Sequence, residues 1–553
     1  MGKCLNSPSS SRNATLLLCA LTLAAVFVAL SFRSTQAVGI DLFHPGLWGE
    51  DGSIFVNEAR DAGLGFLFKP YAGYMHLIPR AISYPASFLP LEYVPLAFHL
   101  AWIAAFFTTI YILQSRLSSI GVPAALCVWA LVLVTLQPQA GEVFFTLTNI
   151  QWFTGLALIT YLAFPITSRV SIGQLALLTI AGLTGPFSVL ALPVLALRAV
   201  LFRDLLTNRR VYVTVAICAA IQIGFIVFSP RPIASNPSSF DPAHLLAAMV
   251  KFVSFGGVYP LATLFAFVFW ASLPWRRIFN ATVSHTRNRS ALDTHAVAQL
   301  TALILILTAF GLILVGFLRD DPATMGPVIL PTGAAGGSRY YLIPYSLLIL
   351  AAAVSNHRDY PRAIVALAAF SIICAANLVR PDRIDHQWHA YAQLARVMPG
   401  SIIPIAPRTE SIPGWSVDAS QAYQQGAKPK GEAIIPLTAM EVSNGEVAST
   451  DGKLVIRSTS DSLLLTLSAR PCPSSTSIAL EVKGRREAGG WIQILWAAGE
   501  GFSDRDGVLR YYPAGDFTGM FAFDRTLDQD KVRIRPVFAP GKAEIHQVRM
   551  ICL

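Results

Sequence analysis

The sequence predicts a polytopic α-helical membrane protein with a C-terminal all-β sandwich domain. Three observations carry that prediction. Of 553 residues, 54% are hydrophobic and 13% are charged, whereas soluble domains carry about 25% charged residues. The charge is unevenly placed: residues 1–378 hold 22 Lys+Arg and 13 Asp+Glu, and residues 379–553 hold 20 and 19. Near residue 433 the apolar pattern changes from helix-length runs to short segments between turn residues. A mean hydropathy of +0.53 excludes an ordinary soluble enzyme, a disordered chain and a fibrous one. The domains read as 1–378 (membrane body), 379–430 (connector) and 431–553 (sandwich).

A spanning helix needs about 20 mostly apolar residues. Eleven candidate spans follow: 13–31, 91–113, 121–137, 151–166, 171–185, 187–201, 211–229, 251–272, 297–317, 339–354 and 361–378. The pair flanking Gly185-Pro186 also reads as one broken helix. The first apolar run is long for a cleaved signal and is taken as a retained span. With eleven spans and the N-terminus in the cytoplasm, 14 of the 22 basic residues of the body, including Arg116, Arg198 and Arg358, fall on cytoplasmic segments. Ten of its 13 acidic residues fall at the opposite face. This places the chain in the inner (cytoplasmic) membrane with its tail extracytoplasmic. The positive excess belongs to topology, so no nucleic-acid partner is expected.

Five of seven cysteines lie in or beside the membrane, and the tail has two, Cys472 and Cys552. In an oxidising compartment these would form a disulfide. Two free thiols is the alternative. Within the connector, 384–397 reads as an amphipathic helix. Beyond it, Leu454–Ile456, Leu463–Leu467, Ile478–Val482, Trp491–Trp496, Val508–Tyr511, Met520–Phe523, Val532–Phe538 and Ile545–Ile551 read as strands of a sandwich, of jelly-roll type. Trp491, Tyr511 and Tyr512 are candidates for stacking on sugar rings, although core packing accounts for such residues equally.

The candidate chemistry lies in loops that this topology puts on one face. The first outer loop carries the acidic pair Glu50-Asp51 before Gly52. Asp51 at a helix N-terminus would be held ionised, and repulsion between the two carboxylates would raise one of their pKa values toward that of a general base. A capped helix with solvated charge is the plainer reading of that loop alone. The same loop carries Lys69, Tyr71, Tyr74, His76 and Arg80, and charges near a bilayer tend to mark function. A later loop holds Glu142, Asn149 and Gln151. Glu142 has no basic neighbour in sequence and needs a partner from another loop. Asp320 lies in a further loop, and Arg339-Tyr340 begins a span where the guanidinium could bind a lipid phosphate or simply snorkel. No nucleotide P-loop, zinc motif or GxSxG nucleophile motif is present in the sequence.

Taken together, Trp48-Gly49-Glu50-Asp51-Gly52, Pro70 to His76, Asn149 to Trp152, Gly185 to Ser188 and Ser338-Arg339-Tyr340 resemble segments of bacterial GT-C fold glycosyltransferases. These are integral membrane enzymes that use polyprenyl-phosphate-linked sugars, and the likeness covers most of 1–378. The resemblance implies inverting sugar transfer to an envelope glycan or glycolipid acceptor. Asp51 would be the general base, with Glu50 assisting and pairing with a base such as Lys69 or Arg80. Arg339, with Tyr340, Lys69 and Arg80, would hold the lipid phosphate. Tyr71, Tyr74, His76, Glu142, Asn149, Gln151 and Asp320 would line the substrate cavity. No cofactor is required for a monophosphate leaving group, although the acidic pair could hold a divalent metal. The competing readings are an envelope polysaccharide polymerase or ligase and a lipid-linked glycan transporter or flippase. The latter calls for mid-span charges and internal repeats, which the sequence lacks.

Overall fold

A computed structural model describes residues 10–34, 40–59, 63–138, 141–166, 170–229, 242–256, 260–287, 293–319, 338–376, 387–405, 415–419, 428–450, 452–458, 463–468, 472, 477–498, 501–524, 531–537 and 541–553. The first part is helical and the C-terminal part is built of antiparallel sheets. The main helices are α1 (Ser10–Ser31), α2 (Leu77–Ala86), α3 (Val94–Ser119), α4 (Ala124–Leu136), α5 (Ile150–Ala163), α6 (Ile172–Gly182), α7 (Leu192–Phe202) and α8 (Arg209–Phe228). They continue with α9 (Pro242–Val253), α10 (Pro260–Ser272), α11 (Trp275–Arg287), α12 (Thr294–Arg319), α13 (Leu342–Ser355), α14 (Tyr360–Ala376) and α15 (Trp388–Val397).

α5 and α13 are apolar all round and buried along almost their whole lengths, which makes them the axis of the bundle. Each expected span has a helix, but their lengths differ from the expectation. Among the described residues, three helices are long and apolar enough to cross a membrane: Leu91–Ser119, Arg209–Phe228 and Thr294–Leu318. Seven other apolar helices are shorter. The expected 251–272 span is divided between α9 and α10, and α11 is an amphipathic helix that the search for apolar runs passed over. The shortening has a visible cause at the Gly185-Pro186 break. There a loop sinks between the helices: Gly185 N donates to the Met75 carbonyl at 2.9 Å and Leu77 N to that of Leu183 at 3.1 Å. Loop backbone fills space that a longer helix would occupy.

The sandwich begins with β3 (Gly431–Ile435), β4 (Glu441–Ser443), β5 (Glu446–Thr450), β6 (Lys453–Ser458), β7 (Leu464–Ser468) and β8 (Ser477–Arg486). It is completed by β9 (Gly490–Ala498), β10 (Gly501–Tyr512), β11 (Gly515–Asp524), β12 (Lys531–Arg535) and β13 (Gly541–Cys552). One sheet runs β10-β9-β12-β7-β4; the other runs β11-β8-β13-β6-β5, with β3 also on β13. The sheets face each other, and Trp496 on β9 stacks on Phe523 of β11 at 4.9 Å between ring centroids. Strands β10 to β13 alternate between the two sheets, the connectivity of a jelly roll. Tyr512 is half-buried against Phe517 and Phe521, so packing accounts for it.

The connector is docked on both sides. Its hairpin, β1 (Ile402–Pro404) with β2 (Ser416–Asp418), is held by Asn57. That amide donates to the Ser416 carbonyl at 3.3 Å and accepts from Asp418 N at 3.0 Å, which copies a strand's own pairing. On α15, Trp388 Nε1 donates to the Leu91 carbonyl at 3.0 Å, and Arg396 reaches both Glu92 oxygens at 2.6 and 2.8 Å. At its start, Gln387 Oε1 accepts from Asp524 N of β11 at 2.6 Å. The helix therefore bridges bundle and sandwich; Ile384, expected within it, lies outside the described residues.

Cys472 and Cys552 are bonded, with Cα atoms 5.4 Å apart, and the bridge ties the end of β13 to the loop after β7 across 80 residues. Closing a loop of that length contributes about 4–5 kcal/mol in the chain-entropy model. The Cys472→Ser/Cys552→Ser variant should unfold its β domain at lower temperature than the parent while helix content is unchanged. Thermal melts followed by circular dichroism in the sheet and helix bands check this, and equal sheet melts would refute it.

Candidate functional site

The site is assembled from segments at residues 50, 71–74, 148–149 and 186 and from the ends of α5, α12 and α13. Residues 71–74 form a tight two-residue turn in which Ala72 and Gly73 both have positive φ, 53° and 84°. Backbone bonds of 3.0 and 3.2 Å between Tyr71 and Tyr74 close it. Such a turn places the two tyrosines side by side. It is anchored by Gln222 from the middle of α8. That amide accepts from Met75 N at 2.9 Å and donates to the carbonyls of Met75 and Gly185 at 3.2 and 2.9 Å. Gly185 has φ +87°, and a Cβ there would run into the Gln151 amide. The chain can pass this close to α5 only as glycine.

Asp51 is 1% exposed. Its Oδ1 accepts from Thr148 N at 2.7 Å and Thr148 Oγ1 at 2.6 Å; its Oδ2 accepts from Leu147 N and Trp48 N at 3.3 Å each. Burial pushes the Asp51 carboxyl up to about 7, against the downward pull of the Thr148 and Trp48 donors and with a small upward push from Glu50. The carboxyl lies behind Thr148, which itself lines the cavity described next.

That cavity encloses about 880 Å³ including its mouth. Its lining is polar and aromatic at Glu50, Tyr71, Tyr74, Asn149, Gln151 and Arg339. It is apolar at Leu312, Val315 and Gly316 of α12 and Ile343 of α13. Glu50 accepts from Tyr71 Oη at 3.1 Å. Glu142 receives Arg339 N at 3.0 Å and Arg339 Nη1 at 3.4 Å, a pairing across 197 residues. Trp152 and Tyr340, also on the wall, meet edge to face at 5.3 Å. Gln151 Oε1 and Trp152 Nε1 are buried without a hydrogen-bond partner among the described residues, which leaves an acceptor and a donor for a polar ligand.

Glu50, Tyr71, Tyr74, Asn149, Gln151, Arg339 and Tyr340 thus share one cavity. Other expectations are corrected. Glu50, not Asp51, stands on the cavity wall, and the two carboxylates turn to different partners. Lys69 and Arg80 are not on it: both pair with Glu58, at 2.9 and 2.6 Å. Arg80 is fully buried and lies over the rings of Phe55 and Phe66 at 4.9 and 4.3 Å. The expected pairing of Glu50 with one of these bases is replaced by its Tyr71 contact. His76 is buried behind the tyrosines, with its ring 5.5 Å from Tyr71 and 4.7 Å from Tyr74. Glu142 does find a partner in another loop. Asp320 lies outside the described residues. Sequence reading missed Glu58, Asn57 and Gln222; the last had a signal, since it is a lone amide within an otherwise apolar run. Among the described residues no three His, Cys, Asp or Glu side chains converge as a metal site requires.

No protein-family model and no curated protein matches the chain. Among solved structures, the chain is similar to BiXyn10A CBM1, at 14% identity over 23% of this chain and 99% of that one, with a TM-score of 0.19. It is also similar to the C-terminal CBM6 of LamC from Zobellia galactanivorans, at 11% identity over 22% and 99%, with a TM-score of 0.18. The xylan-binding module CBM15 gives 16% identity over 22% and 96%, with a TM-score of 0.18.

Two predictions follow from the geometry. The Asp51 carboxyl has a folded pKa of about 7 against 3.8 in the free side chain. The folded state therefore holds this proton more tightly, and its contribution to stability is lost as pH rises through the folded pKa. Relative to Asp51→Asn, the parent should lose thermal stability between about pH 4 and about pH 7. A constant gap between the two melting curves would show that Asp51 stays ionised. Gln222→Leu removes the partner of the Met75 N–H and of the Gly185 carbonyl, at about 1–3 kcal/mol for each group left unsatisfied. Hydrogen exchange should then accelerate in residues 71–78 and 182–186, with the sandwich unchanged.

Proposed function

We propose that this chain is a membrane glycosyltransferase of GT-C type. It moves a sugar from a polyprenyl-phosphate donor to an envelope glycan or glycolipid acceptor, on the extracytoplasmic side of the inner membrane. The observation that carries the reading is the mixed lining of the cavity. Its apolar residues from α12 and α13 suit a prenyl chain, and its polar residues suit a sugar phosphate. The disulfide agrees with a tail in an oxidising compartment.

In this reading Glu50, rather than Asp51, is the general base. It is on the cavity wall and has Tyr71 Oη as its hydrogen-bond donor. Glu50 takes the proton from an acceptor hydroxyl as that oxygen attacks the anomeric carbon. The bond to the lipid phosphate breaks from the opposite side, which inverts the anomeric configuration. Arg339, set by Glu142, offsets the charge that develops on the departing phosphate. Asp51 positions Glu50 by tying residue 48 to residues 147 and 148. No step requires a metal. On the sandwich, Trp491 and Tyr511 meet edge to face at 5.6 Å, and Tyr511 is 39% exposed; these rings are the proposed contact for a glycan.

The test is transfer of label from a panel of purified polyprenyl-phosphate hexoses and pentoses by the reconstituted chain. Glu50→Gln should lower turnover by about 10²–10⁴-fold with donor binding retained. Arg339→Lys keeps the charge but loses the planar fork, so turnover should fall with little change in fold. Full turnover in Glu50→Gln would remove the base assignment. Absence of transfer from every donor by the parent, with donor binding also absent, would remove the glycosyltransferase reading.

A further inference from the structure

A second cavity lies at the other end of α5. Gln151 lines the first cavity and Tyr161 the second. Ten residues at 1.5 Å each separate them by about 15 Å along the helix axis. The second cavity measures about 940 Å³ including its mouth, between α3, α5 and α6. Its polar end is made by Arg116, in the last turn of α3, and by Tyr161. The guanidinium carbon of Arg116 stands 4.3 Å from the centre of the Tyr161 ring. Arg116 Nε and Tyr161 Oη are both buried and have no hydrogen-bond partner among the described residues, and Tyr161 is only 5% exposed. Among the described residues no carboxylate pairs with Arg116, whereas nearby Arg198 is fully buried and paired with Asp204. Leu158, Leu177, Leu178 and Ala181 supply an apolar trough, and the polar Ser171 and Gln174 on the lining are paired with each other at the start of α6. Its margin is open, with Tyr111 57% and Leu177 42% exposed.

We infer that this cavity binds one anionic phospholipid of the surrounding bilayer. A phosphate diester would accept from Arg116 and from Tyr161 Oη together and relieve both buried donors. Its acyl chain would lie along Leu158, Leu177 and Ala181. The cation–ring contact alone would satisfy the charge but not the two unpartnered donors. The positive-inside distribution puts Arg116 in the cytoplasmic leaflet, where anionic headgroups and basic pockets between helices meet. The site is separate from the proposed reaction and stands on the membrane embedding of the chain, not on sugar transfer.

The test is native mass spectrometry of the full chain, purified in mild detergent and relipidated with phosphatidylglycerol or phosphatidylcholine in parallel. The parent should retain one phosphatidylglycerol and release phosphatidylcholine. Arg116→Gln should lower phosphatidylglycerol retention about tenfold, and Tyr161→Phe should lower it by a smaller factor. Leu177→Trp keeps both polar groups and fills the apolar trough, so it should also lower retention; it decides the matter if Arg116→Gln fails to fold. Arg277→Gln, at an arginine paired with Asp359, should leave retention as in the parent. Equal retention of the two lipids, or retention unmoved by the cavity variants, would overturn the inference. Displacement of phosphatidylglycerol by an equimolar polyprenyl monophosphate would overturn it too and reassign the cavity to the lipid carrier.

Discussion

The arrangement of the site depends on one buried carboxylate. Taking Asp51 out of water is costly unless its oxygens are satisfied, and here they meet three backbone N–H groups and a hydroxyl. Those donors come from two loops nearly 100 residues apart, so the first long loop and the approach to α5 are fixed to each other by one side chain. Its neighbours inherit their positions. Glu50 is turned to the cavity. Gly52 is pressed against Ile405 and Val417, where a Cβ would have no room. Three consecutive residues thus meet the cavity, the bundle and the β hairpin of the connector. A displacement of the hairpin would be felt at Glu50 through two peptide units, and this joins the connector to the site.

A second constraint works at the same depth. The loops at the cavity end do not lie over the helices; they penetrate between them. Backbone so placed must be hydrogen-bonded internally. Gln222 provides this from α8 by serving Met75 and Gly185 at once. The cost is helix length, because a helix that gives way to loop backbone cannot span on its own. Short helices and a walled cavity are therefore two results of the same packing.

Much of the architecture was legible in the sequence. Each apolar run marked a helix, and the eight alternating segments of the tail all became strands. The strands that escaped notice, β3, β4 and β5, are largely exposed, and β5 shows no buried alternation. A strand at a sheet edge has little apolar pattern to display. For the same reason α11, with Arg276 and Arg277 near its start, did not register in a search for apolar runs. The residue types of the site were legible as well, but their partners were not. Glu50, Glu58 and Glu142 are similar in sequence terms, as are Lys69, Arg80 and Arg339. Which acid meets which base depends on loop paths that bring residue 142 to residue 339. The order of Glu50 and Asp51 was equally unreadable, because a helix-cap argument places Asp51 on the surface, whereas the Leu147–Thr148 backbone draws it inward.

The pairing of the charges then decides which acid can do chemistry. Glu58 is neutralised by Lys69 and Arg80. Glu142 is neutralised by Arg339 and holds it at the cavity wall. Asp51 is enclosed by donors and has no path to a substrate hydroxyl. Glu50 is the remaining carboxylate of this group, and among the described residues no cation pairs with it. A carboxylate locked in a salt bridge is a poor proton acceptor, because the cation lowers its basicity. One hydrogen bond from a tyrosine orients Glu50. The division of labour is physical: Glu58, Glu142 and Asp51 are taken up in holding the loops and in aiming Arg339, which leaves Glu50 on the wall facing the cavity.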